Sequence, residues 1–241
     1  MALRSIIYIM TFFSFFSCFQ TTPIDKEKSN SYYIQNGKYY YIQNGNRLAQ
    51  GKNQLKNVSG PLLILDSDLA MDNKTVYYKS YPQPHIDRNS FVVDKFVKKD
   101  QNHVYDRDFF KLKIVPDADP NTFQYQIIDS VNWFIWARDA NHYFVSHHKV
   151  DVDYASFQIH NITLAHDAHH VYVRNGVQLL NRAKLAGTPK KLNKHFLADD
   201  ESIYYYSVKK GFQIMPINGM NVTILKEDEI KVGETIISAY K

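Results

Sequence analysis

Two short motifs that alternate along most of the chain constrain its fold more than any other feature. The first aligns Leu69-Ala-Met-Asp72 and Val76-Tyr-Tyr78 with Val97-Lys-Lys-Asp100 and Val104-Tyr105, and with Trp136-Ala-Arg-Asp139 and Tyr143-Phe144. Two more copies are Leu164-Ala-His-Asp167 with Val171-Tyr172, and Leu197-Ala-Asp-Asp200 with Ile203-Tyr-Tyr-Tyr206. The last copy keeps the common spacing if Asp199 is its anchor and is one residue short if Asp200 is. The anchors Asp72, Asp100, Asp139, Asp167 and Asp199 are 28, 39, 28 and 32 residues apart. A second element, Asp-x-x-Ser/Thr-Phe, alternates with the first at Asp87 to Phe91, Asp119 to Phe123 and Asp153 to Phe157. Self-similarity at this period marks a repeat architecture, in which a unit too small to bury its own apolar face stacks on its neighbours.

Each unit reads as strand, turn, strand. Asp followed by polar residues is an Asx-turn former, its carboxylate accepting backbone N–H bonds two residues on. Val/Ile-Tyr-Tyr suits a pleated, half-buried surface. Val171 to Leu180 reads as a hairpin turning at Asn175-Gly176 in a type I′ turn, and Lys210-Gly211 and Asn218-Gly219 punctuate the last copy. In the second motif the Asp and hydroxyl residue would bond locally across a tight turn while the Phe plugs the core between units. Tyr77, Tyr105, Tyr172 and Tyr204 are expected at equivalent strand positions. No stretch combines sustained helical periodicity with caps at both ends. The expected fold class is therefore all-β, an array of β-hairpin repeats; five units suffice for an open solenoid or a propeller-like closure.

These residues resemble the bacterial DKNYY repeat family, whose repeats carry Asp-Lys-Asn-x-Val-Tyr-Tyr, then a hairpin and an Ala-Asp-x-x-Thr-Phe element. The matching segments are Asp72 to Tyr78, Asp100 to Tyr105 and Ala118 to Phe123, and the resemblance runs over roughly Leu62 to Leu225. It is degenerate in places, with Tyr143-Phe144 for Val-Tyr and no Thr-Phe element after Asn175-Gly176. The resemblance implies a β-repeat fold and an exported bacterial protein, and implies no chemistry, because the family is one of unknown function.

Met1 to Ser17 holds one cation, Arg4, then an apolar run with small serines that ends at Cys18, the single cysteine of 241 residues. That is the pattern of a lipoprotein-type signal peptide, and the run is shorter than the roughly 20 apolar residues a spanning helix needs. Phe15-Phe16-Ser17-Cys18 resembles the bacterial lipobox, in which the cysteine is diacylated before cleavage, although Phe15 and Phe16 depart from the usual Leu and small residue. The alternative is an ordinary secretory signal with an incidental cysteine. Acylation at Cys18 would place the chain on a membrane lipid surface of the bacterial cell envelope; plain secretion would leave it periplasmic or secreted. Residues 18–31 then read as a polar tether, 32–60 as a Tyr-rich hairpin cap built on the tandem Tyr-Ile-Gln-Asn-Gly pair, 61–225 as the repeat domain and 226–241 as a C-terminal strand with acidic residues that blunt an edge.

Composition excludes several classes. One cysteine rules out a disulfide scaffold or Cys-built metal domain, and 15% aromatic residues with nine Gly rule out a disordered chain. The net charge of +5 is dispersed among 24 acidic residues, so no nucleic-acid partner is expected. His166, His169 and His170 beside Asp167 suggest zinc. Yet His103, His142 and His170 occupy one slot three residues after the repeat Asp, which the repeat explains. Asp66-Ser-Asp68 begins like a calcium loop, but Leu-Ala-Met follows. Asp117/Asp119, Asp151/Asp153 and Asp199/Asp200 fall in turns, where a solvated carboxylate is the plainer reading. With no Gly-x-Ser-x-Gly, no phosphate loop and no His-Glu-x-x-His, no catalytic residue, metal or cofactor is assigned, and no enzymatic activity is expected.

One irregularity points to a binding residue. Phe123 and Asp139 are sixteen residues apart where the equivalent intervals are nine and ten, and the longer interval holds Trp133 and Trp136. Trp136 stands where Leu stands in other copies and is expected in the core. Trp133, in the inserted length, is the candidate contact for an unknown protein or glycan partner. The reading is an exported, lipid-anchored module that binds or builds; its alternatives are a carboxylate-based envelope hydrolase and an immunity-type antagonist of a toxin.

Overall fold

The computed structural model describes residues 21–126 and 135–240; the segment 1–17, Cys18 and Trp133 lie outside the described residues. These residues fall in two compact units, the first ending at Ile114 and the second beginning at Val115. The only α-helix among them is the single turn Arg47–Gln50, and everything else of regular length is antiparallel β-sheet.

Seven small sheets follow one another, each assembled from strands consecutive in sequence. The first takes Thr22–Pro23, Tyr32–Gln35, Lys38–Tyr41 and Asn53–Gln54, and the second Leu63–Ile64, Leu69–Met71, Val76–Tyr78 and Tyr81–Pro82. Val92–Asp94, Val97–Lys99, Val104–Arg107 and Leu112–Ile114 make the third; Gln124–Tyr125, Trp136–Arg138, Tyr143–Val145 and His148–Val150 make the fourth. The fifth is Gln158–Ile159, Leu164–His166, His170–Asn175 and Gln178–Lys184, and the sixth Lys190–Lys191, Phe196–Ala198, Ser202–Ser207 and Gly211–Pro216. Val222–Ile224, Glu229–Val232 and Thr235–Ser238 form a three-stranded seventh. The acidic C-terminal segment is thus most of a further sheet, where the sequence pointed to a lone strand.

Sheets pack face to face, which explains why the repeat strands are apolar on both sides instead of alternating. In the first unit, Ala70 and Tyr77 of the second sheet join Tyr32, Tyr41 and Leu55 of the first. Leu69, Val76 and Tyr78, pointing the other way, join Phe91, Tyr105 and Leu112 beside the third. In the second unit Trp136 and Val145 meet Ala165 and Tyr172 around Phe157; Leu164 and Val171 meet Leu197 and Tyr204; and Phe196 and Ile203 meet Ile230 and Ile237. Phe91 and Phe157 therefore plug the space between adjacent sheets, as their motif predicts. Trp136 is fully buried, as a residue in the Leu slot should be.

Two local readings change. Thr22–Pro23 pairs with Tyr33 and Ile34, and Ser29 and Ser31 are buried, so much of the expected tether is drawn into the first sheet. Asn36-Gly37 is the two-residue tip of its hairpin with both residues at positive φ, a type I′ turn. Asn175-Gly176 is not: Asn175 pairs with Gln178, leaving Gly176-Val177 at the tip with Gly176 at φ 59°. Glycine at the first tip position is the signature of type II′. The strand keeps Asn175 in the ladder and shifts the expected turn by one residue.

Candidate functional site

The repeat aspartates are the most numerous buried charges among the described residues. Asp72, Asp100, Asp139, Asp167 and Asp199 are all buried, at the turn between the second and third strands of successive sheets. In each, Oδ1 accepts the backbone N–H groups two and three residues on, at 2.6–2.9 Å. Oδ2 accepts a backbone N–H from the preceding loop, donated by Ser59, Asp87, Asp119, Asp153 or Ala186, at 2.6–3.3 Å. The hydroxyl of the Tyr five residues on completes four of the five sites: Tyr77 at 3.1 Å, Tyr105 at 2.5 Å, Tyr172 at 2.6 Å and Tyr204 at 2.7 Å. The four tyrosines are equivalent, and Asp199 rather than Asp200 is the last anchor. Burial alone would push these carboxyls up; the hydrogen bonds to the charged form overcome it and hold all five below the ordinary aspartate range.

The second motif locks onto the first. Ser90, Thr122 and Ser156 each donate to the Asp three residues before, at 2.6, 2.7 and 2.5 Å. The same hydroxyls accept the N–H of the residue after the repeat Asp, at Gln101, Ala140 and Ala168. Alternation of the motifs is thus one reciprocal clasp: the first Asp holds the loop, and the loop hydroxyl holds the turn. In the fourth sheet, where Phe144 replaces the Tyr, the His142 Nδ1 lies 3.4 Å from Asp139 Oδ2. His103 and His170 hold the same slot against Asp100 and Asp167 at 3.9 and 3.8 Å.

The other sequence candidates disperse. Asp66 accepts the Asp68 N–H and pairs with Arg107 at 2.9 Å, while Asp68 accepts the Tyr41 hydroxyl at 2.6 Å. Beside them Lys98 is 7% exposed and donates to the Phe96 carbonyl; burial and then Arg107 lower its ammonium to about 8. Asp117 pairs with Lys149 at 2.6 Å. His166 is buried against the Asp167 carbonyl, whereas His169 is exposed. Among the described residues no three His, Cys, Asp or Glu side chains converge as metal ligands.

At the opposite end of the sheets, where the first strand turns into the second, a different device recurs. The N–H groups of His160 and Asn161 share the Leu164 carbonyl, those of Leu192 and Asn193 share that of Phe196, and those of Leu225 and Lys226 share that of Glu229. Asn161 Oδ1 accepts the N–H groups of Thr163 and Leu164, and Asn193 Oδ1 those of His195 and Phe196. Each amide then reaches the next sheet: Asn161 Nδ2 donates to the Lys194 carbonyl and Asn193 Nδ2 to the Lys226 carbonyl, both at 3.0 Å. Sequence reasoning missed this ladder. Its signal was the offset, since Asp66, Asn161 and Asn193 all stand six residues before a repeat Asp.

Those turns line a cleft of about 840 Å³ in the second unit. Its polar wall includes His160, Lys191, Lys194, His195, Glu227 and Tyr240; Leu192, Tyr206 and Val208 supply apolar surface. His160 is buried; its Nε2 has no partner among the described residues, while the ring hydrogen-bonds the Asn193 backbone. Burial, then the charges of Lys191, His166 and His195, push its imidazole down to about 3, so it is neutral near pH 7. Burial, followed by Lys194, also lowers His195, whose Nε2 lies 3.3 Å from the Tyr240 hydroxyl. A concave, partly apolar site with a few convergent polar groups is the ordinary form of a small-molecule pocket.

No curated protein and no solved structure matches the chain. The model of the DKNYY family matches residues 72–208, which begin at the first repeat aspartate and end in the cleft wall at Val208. That match covers more than half of the chain, and with the clasp of Asp and Tyr recurring through it, the chain belongs to the DKNYY family.

Proposed function

We propose that this β-repeat protein is an exported recognition module, held on the bacterial envelope by lipid at Cys18, and that its ligand sits in the cleft between His160 and Tyr240. The observation that carries the reading is the fate of the repeat carboxylates. All five are buried and each accepts three backbone N–H bonds, four of them a Tyr hydroxyl as well, so they serve the fold. The cleft holds the opposite situation, a buried imidazole nitrogen with no hydrogen-bond partner among the described residues. The N-terminal apolar run and Cys18 support export and anchoring. Trp133 is a second proposed contact, because it stands six residues before Asp139, the offset at which Asn161 and Asn193 precede their anchors.

Two experiments test the reading. Mass spectrometry of the native N-terminus should show a diacylated Cys18; an unmodified thiol or a mature chain starting elsewhere rejects the anchor. Thr163→Trp, which fills the cleft, should abolish complementation of a deletion strain without lowering thermal stability. Full complementation by that variant rejects the cleft, and loss on Glu227→Gln alone, with folding intact, favours the hydrolase.

A further inference from the structure

The two lysines and two histidines of the cleft lie around one concavity. Lys191 leaves the short strand Lys190–Lys191 and Lys194 the turn that follows, and both are exposed. Among the described residues no carboxylate pairs with Lys191. Lys194 is 3.6 Å from Glu227, the single acid in the wall, whose own side chain is 71% exposed. The fixed charges of the lining therefore sum to an excess of one positive charge. His160, buried beside them, is neutral and adds no charge to the wall. Leu192, Tyr206 and Val208 face the same space, and its volume exceeds what a single inorganic ion would fill.

We infer that the cleft binds a small organic anion, its carboxylate or phosphate group held by Lys191 and Lys194 beside the His195 ring, and its apolar body against Leu192, Tyr206 and Val208. The inference rests on the cleft being a ligand site and adds the charge of what it takes. Electrostatics selects the sign: a cation would meet two lysines and one well-exposed glutamate. An anion neutralises the excess and accepts charge-assisted hydrogen bonds from the two ammonium groups.

Side-chain NMR of the intact chain tests this, with His160→Gln and His195→Gln used to assign the rings. Benzoate and phenyl phosphate are the anionic probes, and benzamide is the uncharged counterpart of benzoate. Both histidine signals should move saturably with at least one anion and stay still with benzamide. Lys191→Gln, an exposed substitution that leaves folding intact, should weaken the anion roughly tenfold, the loss expected from one charge-assisted hydrogen bond. Tighter binding of phenyl phosphate or of benzoate identifies a phosphate or a carboxylate ligand. Equal binding of benzamide overturns the anion inference while leaving the cleft as a ligand site. Unmoved histidines with both anions, or unchanged affinity in Lys191→Gln, also overturn it, and the Thr163→Trp complementation then reads the cleft separately.

Discussion

The two ends of the fifth sheet use the same chemistry to opposite effect. At one end Asp167 closes the turn with its carboxylate, and every bond it makes stays within the fifth sheet and the loop before it. At the other end Asn161 closes the turn with its carbonyl oxygen, and its amide crosses to the Lys194 carbonyl of the next turn. A carboxylate only accepts, so it collects donors until it is satisfied and sealed. An amide accepts and donates, so it can cap one turn while bridging to another. The acidic end becomes a closed joint, and the amide end becomes a ladder of spaced turns with a cleft along it.

The largest way to break the comparison is to remove the joint. Asp167→Ala should cost about 3–5 kcal/mol in urea unfolding, because several buried donors lose their acceptor at about 1–3 kcal/mol each. Asp200→Ala, at an exposed neighbour of the equivalent joint, should stay within about 0.5 kcal/mol. Equal effects would mean that the buried aspartates are not the joints of the array.

Removing one donor is the next step down. Tyr172→Phe should cost about 1.5–3 kcal/mol, the range for a hydrogen bond to a charged group. The fourth sheet already has Phe144 at this position, with His142 supplying a side-chain contact to the carboxylate instead. A negligible cost for Tyr172→Phe would show that His170 can stand in as His142 does.

Acid should separate the two ends. The repeat aspartates are depressed in the folded state, so their stabilisation is complete above the unfolded value of about 3.9 and is lost as pH falls through the lower folded values. His160 is also depressed, but its unfolded value is about 6.5, so its contribution declines from there down to about 3. The urea midpoint should therefore begin to fall near pH 6, with a slope of at most about 1.4 kcal/mol per pH unit from His160. His160→Leu should make the profile shallower between about pH 6 and pH 4, where the depressed His166 and His195 still contribute, and leave the steeper acid limb in place. A wild-type profile flat down to pH 4 would remove His160 from the account.

The smallest effect lies at a hairpin tip of the third sheet. Asp94 pairs with Val97, and the tip residues Lys95 and Phe96 sit at φ 43° and 75°. A side chain in this left-handed region costs about 1–2 kcal/mol, and Phe96 is half exposed. Phe96→Gly should raise stability by about 1 kcal/mol.

Much of the acidic end was legible in sequence, because its chemistry needs fixed residue types at fixed spacing. Asp supplies a short carboxylate and, in four of the five copies, Tyr five residues on supplies the hydroxyl, so the pair repeats visibly. The cleft end was not legible for the same physical reason in reverse. Asp and Asn both cap such a turn, as Asp66 and Asn161 do, and the intervening residues point outward and vary freely. The Asn175-Gly176 turn was misread by one position because dipeptide preference cannot fix strand register, which the Val171–Tyr172 bulge and the longer hairpin set. The shift at Thr22–Pro23 was hidden as well, since two residues of edge strand carry no periodicity.

Every strand described pairs only with its neighbours in sequence, and that order has a consequence for how the chain acquires its structure. A segment such as Gln158–Lys184 contains all the hydrogen-bonding partners its own sheet requires. Nothing synthesised later is needed to close it, and loop closure costs are short and local, which favours rapid formation. A chain delivered end first can therefore add sheets in the order in which they emerge. For the same reason a whole unit can be gained or lost by duplication or deletion without rethreading the rest, so the number of repeats is a quantity that evolution can change in single steps.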